Sequence, residues 1–149
     1  MSNFIPESIF DYICSIIDFK SDNYSNMITK KFFLKEYKTL QFRSTRRSGH
    51  TTLALRLMQK YENTILITPL SNSLFFNPKV DENGYSSIYG VYFHVNNNWK
   101  NRCFSAERIA QNKIQIINKN VILDPASMLS NSFIESLYDF EPNSIIMLG

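Results

Sequence analysis

The chain has 149 residues, 44% of them apolar and 19% charged, and carries a net charge of +3. That balance excludes a disordered tail and suits one folded domain with a core of its own. No apolar run approaches the roughly 18–20 residues that a bilayer-spanning helix needs. Met1 to Glu7 lacks the basic-then-apolar pattern of a secretory leader, so a cytoplasmic protein without a membrane partner is expected. Cys14 and Cys103, the only cysteines, are too few for a disulfide scaffold and read as reduced, partly buried thiols.

In chain order, Ser8 to Phe19 reads as an amphipathic helix, because Ile9, Ile13, Ile16 and Ile17 recur at helical spacing. Met27 to Tyr37 reads as a second helix anchored by Phe32 and Phe33. Thr39 to Phe42 is a short strand, and Ser44 to Thr52 is a turn of small and basic residues. Thr51 to Tyr61 follows as a helix, with Leu53, Ala54, Leu57, Met58 and Tyr61 on one stripe. Thr64 to Thr68 is a near-continuous apolar strand ended by Pro69, a pattern suited to a strand covered on both faces. Phe76 to Phe104 reads as an antiparallel insertion, with a strand over Ile88 to Val95. Ser105 to Gln111 is a short helix capped by Ser105. Lys113 to Ile117 and Val121 to Asp124 are further strands, Ser132 to Phe140 a helix, and Ser144 to Leu148 a last buried strand. The alternation predicts an α/β class with a mostly parallel sheet over 38–149, preceded by an N-terminal helical segment over 1–37.

Charge is uneven along the chain. Residues 28–60 hold nine basic side chains and one acid, Glu36, a local excess of +8 that leaves −5 for the remainder. Such an excess attracts phosphate groups. Lys30, Lys31, Lys35, Lys38 and Arg43 are the candidate nucleic-acid contacts within it.

The same segment contains the one motif that carries chemistry. A phosphate-binding loop needs a strand, a turn of small residues, and a helix whose first N–H groups point at the phosphate. Ser44, four intervening residues, Gly49, His50 and Thr51 follow the spacing G-x-x-x-x-G-K-[ST], with a strand before and a helix after. This resembles the Walker A loop of P-loop NTPases, and the Arg46-Arg47-Ser48-Gly49 run is most similar to the arginine-containing loop of phage terminase-type DNA translocases. The resemblance implies a P-loop-type α/β core, truncated here, with Arg46, Arg47, Ser48, Gly49, His50, Thr51 and Thr52 around phosphate. It also implies Mg²⁺ with ATP or another NTP, the metal held by Thr51 and by Asp124. The latter ends Asn120-Val121-Ile122-Leu123-Asp124, a run that resembles Walker B. A phage-encoded protein linked to DNA metabolism in a host cytoplasm fits the same resemblance.

Besides Ser44, a small residue in place of the first glycine, two positions depart from the family. His50 stands where the loop lysine reaches the β- and γ-phosphates, and imidazole is shorter and largely neutral at pH 7. Pro125 stands where the glutamate that positions water is expected. Both departures point to phosphate or nucleotide binding with little or no hydrolysis. Two other functions stay open on the sequence alone. One is a nucleic-acid-binding module built on the basic segment. The other is a non-catalytic protein-interaction factor, with Tyr85, Tyr89, Tyr92 and Trp99 as candidate anchors.

Overall fold

A computed structural model describes residues 7–19, 30–42, 50–68, 102–112, 116–124 and 126–149. Five strands form one sheet: β1 (Thr39–Phe42), β2 (Thr64–Thr68), β3 (Cys103–Ser105), β4 (Asn120–Leu123) and β5 (Ser144–Leu148). Their order is β1-β5-β4-β2-β3, and every pair is parallel. Helices α1 (Glu7–Asp18), α2 (Lys30–Tyr37), α3 (His50–Lys60), α4 (Ala106–Gln111) and α5 (Asn131–Tyr138) cover it, with a 3₁₀ turn at Ala126–Met128.

The sheet separates two cores. On one face, Phe10, Ile13, Cys14 and Ile17 of α1 and Leu53, Ala54, Leu57 and Met58 of α3 pack on Leu66, Ile122, Ile146 and Leu148. On the other, Leu34 of α2, Ile109 of α4 and Leu137 and Tyr138 of α5 pack on Ile65, Ile67, Val121, Leu123 and Ile145. Alternate strand residues therefore serve opposite cores, which is why β2 and β4 are apolar throughout their middles. Each such Ile or Leu contributes roughly 1.5–3 kcal/mol on burial. The N-terminal helical segment is part of this sandwich, since α1 and α2 cover opposite faces of the one sheet.

Cations tie down the amino-terminal edge. Lys38, 2% exposed, sits immediately before β1. Its Nζ donates to the carbonyls of Ile16, Ile17 and Phe19, each at 2.6 Å, and so caps the C-terminus of α1. Burial pushes Lys38 down to about 8, an effect that nearby Asp18 opposes. Arg102 does the same for α3, donating to the carbonyls of Met58, Tyr61 and Thr64 at 2.7–2.8 Å. Asn120 joins the edge from β4: its Oδ1 accepts from Ser144 Oγ at 2.9 Å and its Nδ2 donates to Asn63 at 3.2 Å.

Three expectations need correction. Cys103 and Phe104, assigned to an antiparallel insertion, form β3 parallel to β2, with Leu66 opposite Cys103. The long 69–101 connection supplies the crossover length that a parallel pair requires. Ile116 and Ile117, read as strand, form a turn: Lys119 N–H donates to Ile116 O at 3.0 Å, and Asn118 at φ 60° reverses the chain into β4. The last helix starts at Asn131, because Ser130 is the residue whose Oγ accepts from Phe133 N–H. The Ile88 to Val95 strand and the Lys113 to Gln115 start of its neighbour lie outside the described residues.

Candidate functional site

The strands run in one direction, so their carboxyl ends share one edge. Helix α3 has eleven residues and rises about 16 Å. A five-residue strand such as β2 also rises about 16 Å. The C-terminus of α3 is fixed at the amino edge by Arg102. Its first turn, His50-Thr51-Thr52, therefore opens at the carboxyl edge.

The direction of crossing also reverses within the sheet. From β1 the chain enters α3 on one face and emerges at β2, three positions across. From β4 it enters α5 on the opposite face and returns to the adjacent β5. The helices that follow β1 and β4 thus lie on opposite faces, with β5 between the two strands. In open parallel sheets this is where ligands bind, outside the carboxyl ends of the strands.

Register places the side chains along this edge. Phe42 is opposite Leu148, Met147 opposite Leu123, Leu123 opposite Ile67, and Thr68 opposite Ser105. One level across the sheet therefore reads Phe42, Leu148, Asp124, Thr68, Ser105. The β4 ladder continues into this level: Asn120 N–H donates to Asn63 O at 3.0 Å, and Asp124 N–H donates to Ile67 O at 3.2 Å. The even spacing on both strands keeps Asp124 on the face of Ile122, which is the α3 face. Thr68 shares the face of Leu66 in the same way. Asp124 is 6% exposed and Thr68 fully buried. Thr68 and Asp124 are thus buried polar residues side by side at the carboxyl edge, as Thr64, Asn120 and Ser144 are at the amino edge.

The site residues expected from sequence are distributed as follows. Arg43, Arg46, Arg47, Ser48 and Gly49 lie outside the described residues, as does Pro125. The backbone of His50, Thr51 and Thr52 forms the first turn of α3, and their side chains are outside the described set. Asp124 is the turn residue that directly follows β4. Thr68 was not singled out, although the two polar strand ends share a signal, Thr68-Pro69 and Asp124-Pro125.

The described residues of the basic segment do not make one surface. Helices α2 and α3 lie on opposite faces of the sheet. On α2, whose first residue is Lys30, Lys31 pairs with Asp139 at 3.0 Å and Lys35 with Glu135 at 2.6 Å. Lys38, offered as a nucleic-acid contact, is buried against the α1 carbonyls and leaves the surface altogether. On α3, Arg56 holds Glu7 in a two-pronged pair at 2.7 and 2.9 Å and stacks over Phe10.

The thiols are not reactive centres. Cys14 and Cys103 are both buried, and burial pushes the Cys103 thiol well above its ordinary range. A hollow of about 390 Å³ lies on the face away from α3, between Gln41 and Met147 of the sheet and Ile134, Glu135 and Tyr138 of α5. Among the described residues, no three His, Cys, Asp or Glu side chains converge on a metal position. None of the described helices is long and apolar enough to cross a membrane. No protein-family model matches the chain, and no curated protein matches it. The described residues define an α/β architecture around a five-stranded, all-parallel sheet.

Proposed function

We propose that this protein binds a phosphate-bearing ligand, in the first place a nucleotide, at the carboxyl edge of the sheet, with little or no hydrolysis. The loop over 44–52 cradles the phosphates through backbone N–H groups, as a degenerate P-loop. Arg46, Arg47 and His50 add charge. The observation that carries this reading is Asp124: a buried carboxylate at the end of β4, on the α3 face, at the edge where α3 begins. A buried carboxylate in that place is suited to a cation shared with a phosphate. Mg²⁺ keeps several waters and takes one or two protein oxygens plus phosphate oxygens, so Thr51 and Asp124 suffice to hold it. It would neutralise phosphate charge there. His50 and Pro125 argue for binding over turnover.

The nucleic-acid reading draws less support, because Lys31 and Lys35 are paired, Lys38 is buried, and α2 and α3 lie on opposite faces of the sheet. Thermal unfolding with Mg·ATP, Mg·GTP or a short single-stranded oligonucleotide, at pH 6 and pH 8, separates the readings. A nucleotide at a hundred times its Kd adds about 2.7 kcal/mol, or roughly 5–10 °C for a chain of this size. Asp124→Asn should remove the part of that shift that depends on Mg²⁺. A shift with the oligonucleotide alone moves the assignment to nucleic acid. No shift with any of the three refutes phosphate binding at this edge.

A further inference from the structure

The hollow of about 390 Å³ on the face away from α3 has no part in phosphate binding. Its size falls within the roughly 300–1,000 Å³ of small-molecule sites. It is lined by α5, by the turn over 126–129 and by the ends of β1 and β5. One face of α5 forms a wall, because Asn131, Ile134, Glu135 and Tyr138 follow the i, i+3, i+4, i+7 spacing. Across from it stand Gln41 and Met147, opposite one another on β1 and β5. The wall is held in shape while two of its polar groups stay available. Tyr138 Oη lies 3.0 Å from Thr39 Oγ1, whose proton goes to Leu34 O at 2.8 Å. Glu135 is pinned through Oε2 by Lys35 at 2.6 Å, and its Oε1 has no hydrogen-bond partner among the described residues. Ser130 caps the helix by accepting from Phe133 N–H, which leaves the Asn131 amide without a partner among the described residues.

The chemistry of the walls selects a ligand. Lys35 matches the Glu135 charge, so neither an anion nor a cation gains by entering. Ile134, Met147 and the Tyr138 ring offer apolar surface to a flat body. Glu135 Oε1 only accepts, whereas the Asn131 amide also donates. Four residues apart on α5, the two side chains are neighbours, about 5–6 Å apart at Cβ. Such a pair matches a ring edge that bears N–H beside C=O. We propose that this hollow binds an uncharged, flat heterocycle with a lactam edge, its N–H donated to Glu135 and its carbonyl accepting from the Asn131 amide. The site uses neither the loop over 44–52 nor a phosphate, so it is independent of the reading above.

The test is a titration of the isotopically labelled full chain with oxindole, a small flat lactam, followed by amide NMR shifts. Saturable shifts should be confined to α5, the turn over 126–129, and the neighbourhood of Gln41 and Met147. N-methyloxindole lacks the donor, and should bind about 10-fold more weakly because it leaves the Glu135 oxygen unpaired. Glu135→Ala should weaken oxindole about 10-fold and Asn131→Ala about 5-fold, the smaller loss being that of a neutral partner. Both residues are exposed, so neither variant should shift the unfolding midpoint appreciably. The proposal is overturned if oxindole gives no saturable shifts, or if its shifts lie elsewhere. It is equally overturned if N-methyloxindole binds as well as oxindole, or if both variants keep the wild-type affinity.

Discussion

Replacing Lys38 by methionine tests the most demanding feature of the amino edge. The methionine keeps length and apolar bulk while removing the ammonium that three carbonyls of α1 and its exit share at 2.6 Å. A hydrogen bond to a charged group contributes about 1.5–3 kcal/mol, so three give about 4–9 kcal/mol gross. Desolvating the ammonium takes back several kcal/mol of this. The net loss for Lys38→Met is therefore about 2–4 kcal/mol, or roughly 5–15 °C in midpoint. The loss is local first: amides of α1 should exchange faster while those of β4 and β5 hold, since α1 loses the contact that closes its end. The pH dependence has a definite sign. Lys38 lies at about 8 in the folded protein, below the ordinary value of about 10.4. Between those values the unfolded chain holds more protons, so stability from this group rises with pH. The gap between wild type and Lys38→Met should widen from pH 7.5 to pH 10, by about 2 kcal/mol. Urea titrations at several pH values, read with amide exchange, measure both effects. A variant within 0.5 kcal/mol of wild type, or a gap that narrows as pH rises, would refute the reasoning.

Three further outcomes are expected. Arg102→Met should cost about 2–3 kcal/mol in urea unfolding, because the carbonyls of Met58, Tyr61 and Thr64 lose their shared donor. Thr64→Val should stabilise by about 1 kcal/mol, since Thr64 Oγ1 is buried without a hydrogen-bond partner among the described residues; a loss of stability would show that the hydroxyl has one. His50→Lys should tighten nucleotide binding several-fold and flatten its pH dependence, because imidazole is charged at pH 6 and largely neutral at pH 8 while lysine is charged at both. Unchanged affinity in that variant would count against phosphate contact at the loop.

The strands were legible where composition and burial agree. Thr39–Phe42, Thr64–Thr68 and Ser144–Leu148 have the bounds their residue types suggest, and the unbroken apolar runs already point to a sheet covered on both faces. Cys103–Ser105 was not legible, because a three-residue strand has no period to read and exists through its pairing with β2. Ile116 and Ile117 mislead because apolar residues also adjoin where a buried Ile116 precedes a left-handed turn at Asn118. Asp124 could be found from its run, while Thr68 needed the register between β2 and β4 to become its neighbour. Charge counted along the chain missed the fold: of the nine cations close in sequence, Lys31 and Lys35 sit on a helix of one face, Arg56 and Lys60 on a helix of the other, and Lys38 lies in the interior.

The strand order has a consequence for how the chain assembles. β1 pairs with β5, so Thr39 finds Ile145 more than a hundred residues later. At synthesis rates of roughly 5–20 residues per second, the partner of β1 leaves the ribosome about 5–20 s after β1 itself. β2, β3 and β4 can pair among themselves within that interval, because none of their contacts requires β5. During it, Leu40 and Phe42 on one side and the open flank of β4 on the other are unsatisfied strand edges. The first strand made is thus among the last incorporated, and β5 must slot between two edges that already exist. Long-range parallel pairing of this kind folds slowly. The nascent chain is most exposed to misassembly just before its central gap is filled.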